Sequence, residues 1–129
     1  MSLILVVDDE PGVRQTVRDW LLSEGYRVET ANGVGDTIAW FRKAVRPPDA
    51  LLLDIKLADG SGFQLADRLH KDYGFDKVIF MTAFFWEEET RRELGRRERP
   101  YFEKPLKFQK EVMPFLQRFL DAGAESPQS

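Results

Sequence analysis

The sequence of 129 residues contains no cysteine, which excludes disulfides, thiol nucleophiles and cysteine-based zinc sites together. Histidine is almost absent: His70 stands alone on a helical stretch and reads as a surface residue, not as a ligand or phosphodonor. Long hydrophobic runs are missing too. The longest aliphatic stretch, Leu3 to Val7, falls far short of the ~20 residues a bilayer span requires. No basic segment with a small-residue cleavage site precedes it, so a cytoplasmic protein is expected. No glycine-rich loop ends in Gly-Lys-Ser/Thr, and Asn32-Gly33-Val34-Gly35 lacks the third glycine of a dinucleotide loop, so it reads as a helix cap. Neither sign of charge dominates. With 19 Lys and Arg against 22 Asp and Glu, the net charge of −3 gives no global attraction to nucleic acid or to anionic membrane.

What is present is apolar surface in quantity: 43% hydrophobic residues, including ten Phe, three Trp and three Tyr, enough for one well-packed core. The length suits a single domain at the usual ~100–200 residues each. Leu3 to Val7 is aliphatic without alternation, as in a strand covered on both faces by helices. Pro11 to Glu24 then places Val13, Val17, Trp20 and Leu21 at helical spacing, with Gly25 at the end. Tyr26 to Ala31 alternates like a half-exposed strand. Asn32 is placed to cap a helix carrying Ile38, Trp40, Phe41 and Val45, which Pro47-Pro48 stops. Ala50 to Leu53 is a second wholly apolar strand, and a glycine-rich loop follows. Ser61 caps a third helix bearing Phe63, Leu65, Ala66 and Leu69 and closing at Gly74. Lys77 to Met81 and Pro100 to Glu103 supply two more strands. Between them Trp86 to Arg99 is dense in charge, with Trp86 and Leu94 as its only anchors and Glu87–Arg91 and Glu88–Arg92 as i,i+4 pairs. The last helix carries Val112, Phe115, Leu116 and Phe119, with a kink or broken turn expected at Pro114. Five strands alternating with five helices make a doubly wound α/β sheet the economical fold.

In such sheets ligands bind at the carboxyl ends of the strands. The unusual side chains fall there: Asp8 and Asp9 after the first strand, Asp54 after the third, Thr82 after the fourth and Lys104 after the fifth. Three converging carboxylates repel one another unless protonated or bridged by a cation, and a hard divalent ion such as Mg²⁺ suits all-oxygen ligands. A lysine and a hydroxyl beside that ion suit a phosphoryl group.

These residues resemble a family pattern over residues 2–120: the response-regulator receiver domain of two-component signalling, a CheY-like, flavodoxin-like sheet of strand order 2-1-3-4-5 with five helices on two faces. Asp8-Asp9-Glu10 matches its acidic pair. Asp54 to Gly62 is similar to its phosphoacceptor segment, with Ala58 in place of the usual Pro. Thr82-Ala83 resembles its hydroxyl plus small residue, and Lys104-Pro105 its Lys-Pro, whose peptide bond is usually cis in the family. The resemblance implies that Asp54 accepts a phosphoryl group from a sensor histidine kinase, a phosphotransfer protein or a small phosphodonor. It implies that Asp9 ligates Mg²⁺ (or Mn²⁺) directly, Asp8 largely through water, and Asp54 and the backbone carbonyl of Lys56 as well. Lys104 and Thr82 would contact the phosphoryl group. Tyr101, three positions before the lysine, would be the aromatic switch, and the surface of helix four, strand five and helix five the switching face, with a homodimer forming on phosphorylation. Contact with nucleic acid or membrane through this domain is not expected.

The sequence departs from that pattern in two places. Arg97-Glu98 stands where the family has a Gly-Ala pair, which predicts an irregular or mobile segment from Phe84 to Arg99. Lys56 and Phe84, two places beyond Asp54 and Thr82, occupy positions that tune dephosphorylation in the family, and their bulk predicts restricted water access and a slow-decaying phosphoform. Two other functions compete: a pseudo-receiver serving as a constitutive interaction or dimerisation module, and an aspartyl-phosphate phosphatase. The phosphatase needs a second Asp two residues after the nucleophile, where this chain has Lys56. Residues 121–129 read as a tail or the start of a linker, too short for an output domain. The protein is therefore either a single-domain regulator or the receiver part of a longer one, and the loop from Leu57 to Gly62 resembles receivers attached to transcriptional outputs.

Overall fold

The computed structural model describes residues 2–125. Its chain order is β1 (Leu3–Val7), α1 (Pro11–Ser23), β2 (Arg27–Ala31), α2 (Val34–Lys43), β3 (Ala50–Asp54), β4 (Lys56–Leu57), β5 (Gly60–Ser61), α3 (Gly62–Tyr73), β6 (Val78–Thr82), α4 (Glu88–Arg97), β7 (Tyr101–Glu103) and α5 (Met113–Glu125). Five strands form one parallel sheet in the order β2-β1-β3-β6-β7, which is 2-1-3-4-5 when only its own strands are counted. The remaining two form a two-residue antiparallel pair inside the loop after β3. The pair folds that glycine-rich loop back so that Ser61 reaches the start of α3.

The all-apolar strands are explained by what covers them. Every residue of β3 and β6 is buried, as is β1 from Ile4 onward. Leu5, Val7, Leu51, Leu53 and Phe80 pack on one face against α2, α3 and α4, while Ile4, Val6, Leu52, Ile79 and Met81 pack on the other against α1 and α5. Because successive side chains alternate between faces, an unbroken aliphatic run satisfies both layers. Pairing of Val7 with Leu53 and of Asp54 with Met81 puts the strand ends level, so the residues that follow them share one edge. The chain turns opposite ways after β1 and β3, which leaves a crevice between those two ends.

Helix ends follow local chemistry. Pro11 occupies the first turn of α1, where its missing N–H costs nothing. The Ser61 hydroxyl accepts from the N–H groups of Phe63 and Gln64 to cap α3, and Gly74 ends that helix at φ 63°. Asn32 does not cap α2. The Asp59 carboxylate in the turn between β4 and β5 takes that role, accepting from Val34 N–H at 2.8 Å and Gly35 N–H at 3.0 Å. Val45 lies beyond the end of α2 and is fully exposed.

The segment from Phe84 to Arg99 is not irregular throughout: it contains a regular ten-residue helix, α4, starting at Glu88. Trp86 precedes that helix and is 69% exposed, so the buried anchors of α4 are Thr90 and Leu94 instead. Of the two expected pairs, Glu88–Arg92 is present at 3.8 Å, but Arg91 donates to the Phe85 carbonyl and Glu87 turns to Lys56. The expected disturbance near Pro114 is a widened π-helical turn over residues 108–112, closed by the Val112 N–H on the Lys107 carbonyl. Pro114 lacks the N–H that would continue a tighter ladder back into that turn. No helix among the described residues is long and apolar enough to cross a membrane.

Candidate functional site

Asp8, Asp9 and Asp54 meet at the crevice between β1 and β3, each offering an oxygen within 4.8 Å of the others. Asp8 is completely buried, Asp54 nearly so, and Asp9 partly open. Asp8 is held from two sides: Oδ1 accepts the Glu10 N–H at 3.0 Å and Oδ2 accepts from Lys104 Nζ at 2.6 Å. Lys104 also donates to Asp54 Oδ2 at 3.2 Å. No protein group among the described residues bonds to the Asp9 carboxylate, and one oxygen of Asp54 is likewise left over. Free hard oxygens on two converging carboxylates, with a third behind them, fit a small divalent cation.

Burial pushes the Asp54 carboxyl up to about 6, with Lys104 pulling it down and the charges of Asp8 and Asp9 adding to the rise. Burial works the other way on the Lys104 ammonium, but the hydrogen bond to Asp8 and the two carboxylate charges win and raise it. The lysine stays charged, and Asp54 is a carboxylate at neutral pH that nevertheless carries a cost for its charge.

Thr82 is buried at the end of β6, and its Oγ1 accepts the Phe84 N–H at 2.8 Å, which leaves the hydroxyl hydrogen free to donate elsewhere. Lys104 follows β7, its N–H bonded to the Thr82 carbonyl at 2.8 Å, and the Lys104-Pro105 peptide is cis. Ala83 follows Thr82 with no more than a methyl group. The Lys56 ammonium lies 4.1 Å from the centre of the Phe84 ring and 3.0 Å from Glu87, so these two bulky neighbours of the site touch each other. Tyr101 is 38% exposed and stacks on Phe85 at 5.2 Å between ring centres. Phe102 points the other way, into the layer of α1 and α5 against Phe115, so it does not compete for the place of Tyr101. His70 pairs with Asp76 at 2.7 Å, and neither belongs to the acidic cluster.

A family model described as the response regulator receiver domain matches residues 4–113. The chain belongs to the response regulator receiver family. Among named relatives it is 38% identical over 80 residues to the transcriptional regulatory protein TrcR of Mycobacterium tuberculosis, covering 62% of this chain and 30% of that protein. It is 31% identical over 110 residues to the probable transcriptional regulatory protein TcrX of the same organism, covering 85% of this chain and 46% of that one. The chain thus spans less than half the length of these relatives. Among solved structures, Thermotoga maritima TrrA in complex with Mg²⁺-BeF superposes with a TM-score of 0.78 at 29% identity, over 92% of this chain and 99% of that one. A CheY-like receiver domain protein of Methanospirillum hungatei gives 0.81 at 25% identity, over 97% and 98%.

Two residues that shape the receiver site escaped the sequence reading, and the role of a third was not visible there. Glu87 lies 31 positions from Lys56 in sequence, and nothing but the juxtaposition of two loops could have paired them. Its carboxyl is held below the usual carboxylate range by the Lys56 hydrogen bond, helped by one from Thr90. Asp59 ties the loop after β3 to α2 across 25 positions, and the two N–H groups it accepts hold its carboxyl low. Gly62 was noted only as a motif position. A Cβ there would run into the backbone carbonyl of Asp54, so the glycine is what lets the loop close against the strand that carries the central carboxylate.

Proposed function

We propose that this receiver is phosphorylated on Asp54, taking the phosphoryl group from a sensor histidine kinase, a phosphotransfer protein or a small phosphodonor. A carboxylate oxygen of Asp54 bonds to phosphorus as the bond between phosphorus and the donor breaks, leaving an acyl phosphate on the chain and releasing the donor. The observation that carries this reading is the buried carboxylate with one oxygen on Lys104 and the other unengaged, beside two more carboxylates. The donor set fits Mg²⁺ or Mn²⁺, with Asp9 and Asp54 as direct ligands, Asp8 acting largely through water, and the Lys56 carbonyl as a further oxygen. The bound ion would neutralise charge on the phosphoryl oxygens.

The chain's own groups do the rest. Lys104, already between Asp8 and Asp54, meets a phosphoryl oxygen without having to move far. Thr82 donates its free hydroxyl hydrogen to another, drawing it away from Phe84, with Ala83 small enough to let the loop follow. The space this opens admits Tyr101, so a charge event at Asp54 is read on the face made by α4, β7 and α5. That face would carry homodimerisation or a protein partner. Nucleic acid is not a partner of this domain: six of its arginines, Arg18, Arg68, Arg92, Arg96, Arg97 and Arg99, are paired with carboxylates.

Incubation with Mg²⁺ and acetyl phosphate tests this directly, with Asp54→Asn as control. About one phosphate per chain, absent from the variant, is the expected result. Continuous turnover would instead favour a phosphatase, and no incorporation a constitutive interaction module. Phe84 and Lys56 touch each other beside the site, and their bulk predicts restricted water access, so Phe84→Ala should shorten the life of the phosphoform; an unchanged decay rate would remove Phe84 from that role.

A further inference from the structure

The pair of Lys56 and Glu87 joins two loops that flank Asp54. Lys56 stands two residues beyond Asp54, and both oxygens of Glu87 lie 3.0 Å from its ammonium. Glu87 is tied in turn to the start of α4: its Oε1 accepts from the Thr90 hydroxyl at 3.1 Å and its carbonyl from the Arg91 N–H at 3.1 Å. The same ammonium rests on the ring of Phe84, whose N–H is bonded to Thr82. A single cation therefore touches the loop after β3, the loop after β6 and, through Glu87, the first turn of α4.

We infer that Glu87 is a positioning residue of the phosphoacceptor site: it holds Lys56 aside in the unmodified protein and gives it up when a phosphoryl group is added. The exchange frees the first turn of α4 from the loop after β3. This rests on the phosphoacceptor reading above.

The charge at the strand ends decides when the exchange happens. With one divalent ion bound, as the phosphoacceptor reading requires, Asp8, Asp9 and Asp54 would be matched by that ion and Lys104, so before phosphorylation no further cation would be drawn in. A phosphoryl group raises the charge at Asp54 to about −2, leaving roughly one negative charge unmatched. Among the described residues, two other cations bond to the strand-end aspartates. Lys104 is already counted, and Arg14 is fixed on α1 with its guanidinium on the Asp8 backbone carbonyl at 2.7 Å. Lys56 is held less firmly. Its side chain is 48% exposed, and exposed ion pairs are weak, whereas charge-assisted bonds to a multiply charged phosphoryl group are strong. The lysine therefore transfers toward the higher charge, and Glu87, with the Thr90 hydroxyl bonded to it, is released from the loop after β3.

The test is binding of beryllofluoride, with saturating Mg²⁺, to the whole chain, followed by nuclear magnetic resonance of wild type, Glu87→Gln, Lys56→Met and the double variant. Releasing Lys56 in advance should make Glu87→Gln bind beryllofluoride about two- to fivefold more tightly than wild type. Lys56→Met should bind more weakly, and in that background Glu87→Gln should change nothing. The Thr90 signals of wild type should move on binding toward their positions in free Glu87→Gln. Equal affinity in all four proteins overturns the inference, as does a Glu87→Gln effect that persists without Lys56. A wild type that binds no beryllofluoride overturns the phosphoacceptor reading itself.

Discussion

Asp54 is pulled in opposite directions by its surroundings, and the balance predicts how the metal-free protein responds to pH. Its carboxyl titrates near 6 in the fold and near 4 in the unfolded chain, because burial and the charges of Asp8 and Asp9 outweigh Lys104. Between those values the native state keeps a proton that the unfolded state has lost, so this group's contribution falls as pH rises through the window and its full cost is present above about 6. Asp54→Asn removes the cost while Lys104 keeps its bond to Asp8. In chelator at pH 7.5 the variant should be more stable than wild type by about 1–2 kcal/mol, and urea midpoints of the two should converge toward pH 4. Gly62 predicts the opposite sign: Gly62→Ala forces a methyl into the Asp54 carbonyl and should cost about 2 kcal/mol or more at any pH. Asp8, Asp9 and Asp54 were legible in sequence because each ends or follows a wholly apolar strand, and Thr82 and Lys104, unremarkable singly, because they stand at the ends of the later strands of the same series. Glu87 and Asp59 were not, since each looks like any surface carboxylate until the loop that it reaches is known.

The helix α4 shows how an element poor in apolar residues can still be ordered. Its apolar anchoring is little more than Leu94, and the missing grip comes from Arg97 near its end. That side chain is mostly buried, bonded to both oxygens of Asp67 at 2.7 and 3.1 Å, to Glu93 at 3.0 Å, and seated 4.8 Å from the centre of the Phe63 ring. A pair of small residues would bring α4 close by removing bulk; here a guanidinium fills the gap and ties α4 to α3. The sequence showed the departure but not the compensation, because periodicity counts apolar residues and this contact is a planar fork on a carboxylate and a ring. Arg97→Ala should cost about 1–2 kcal/mol in urea unfolding and raise amide exchange in α4 above that in β1 and β3, and Arg97→Lys should restore little of it. Glu98, directly after the helix, sits at φ 54° in the left-handed region, where a side chain is strained. Glu98→Gly should therefore stabilise the protein by about 1 kcal/mol, visible as a higher melting temperature. No gain would mean that the glutamate side chain offsets its own strain.

At the scale of the molecule, the parallel sheet concentrates like charge. Five strands running the same way send the residues after β1 and β3 to one edge, and three of the chain's 22 acidic residues meet there while the net charge stays at only −3. Pattern and composition were enough to give the alternation of strands and helices, the strand ends and hence the edge, because those depend on burial on two faces. The widened turn before α5 and the two-residue pair β4–β5 depend on backbone hydrogen bonds that leave no apolar signature. The concentration of charge has a consequence for the whole fold. Among the described residues only Lys104 pairs with these carboxylates, so a divalent ion that binds the native cluster and not the unfolded chain adds stability with its concentration, about 2.7 kcal/mol at a hundred times its dissociation constant. Mg²⁺ should raise the melting temperature of wild type in a saturable way and chelator should reverse it. Asp9→Asn should lose most of that response while changing the metal-free melting temperature little, because the Asp9 carboxylate is only partly buried and accepts no bond from the protein. A melting temperature that rises equally with Mg²⁺ in Asp9→Asn would mean that the ion acts by general screening and not through this cluster.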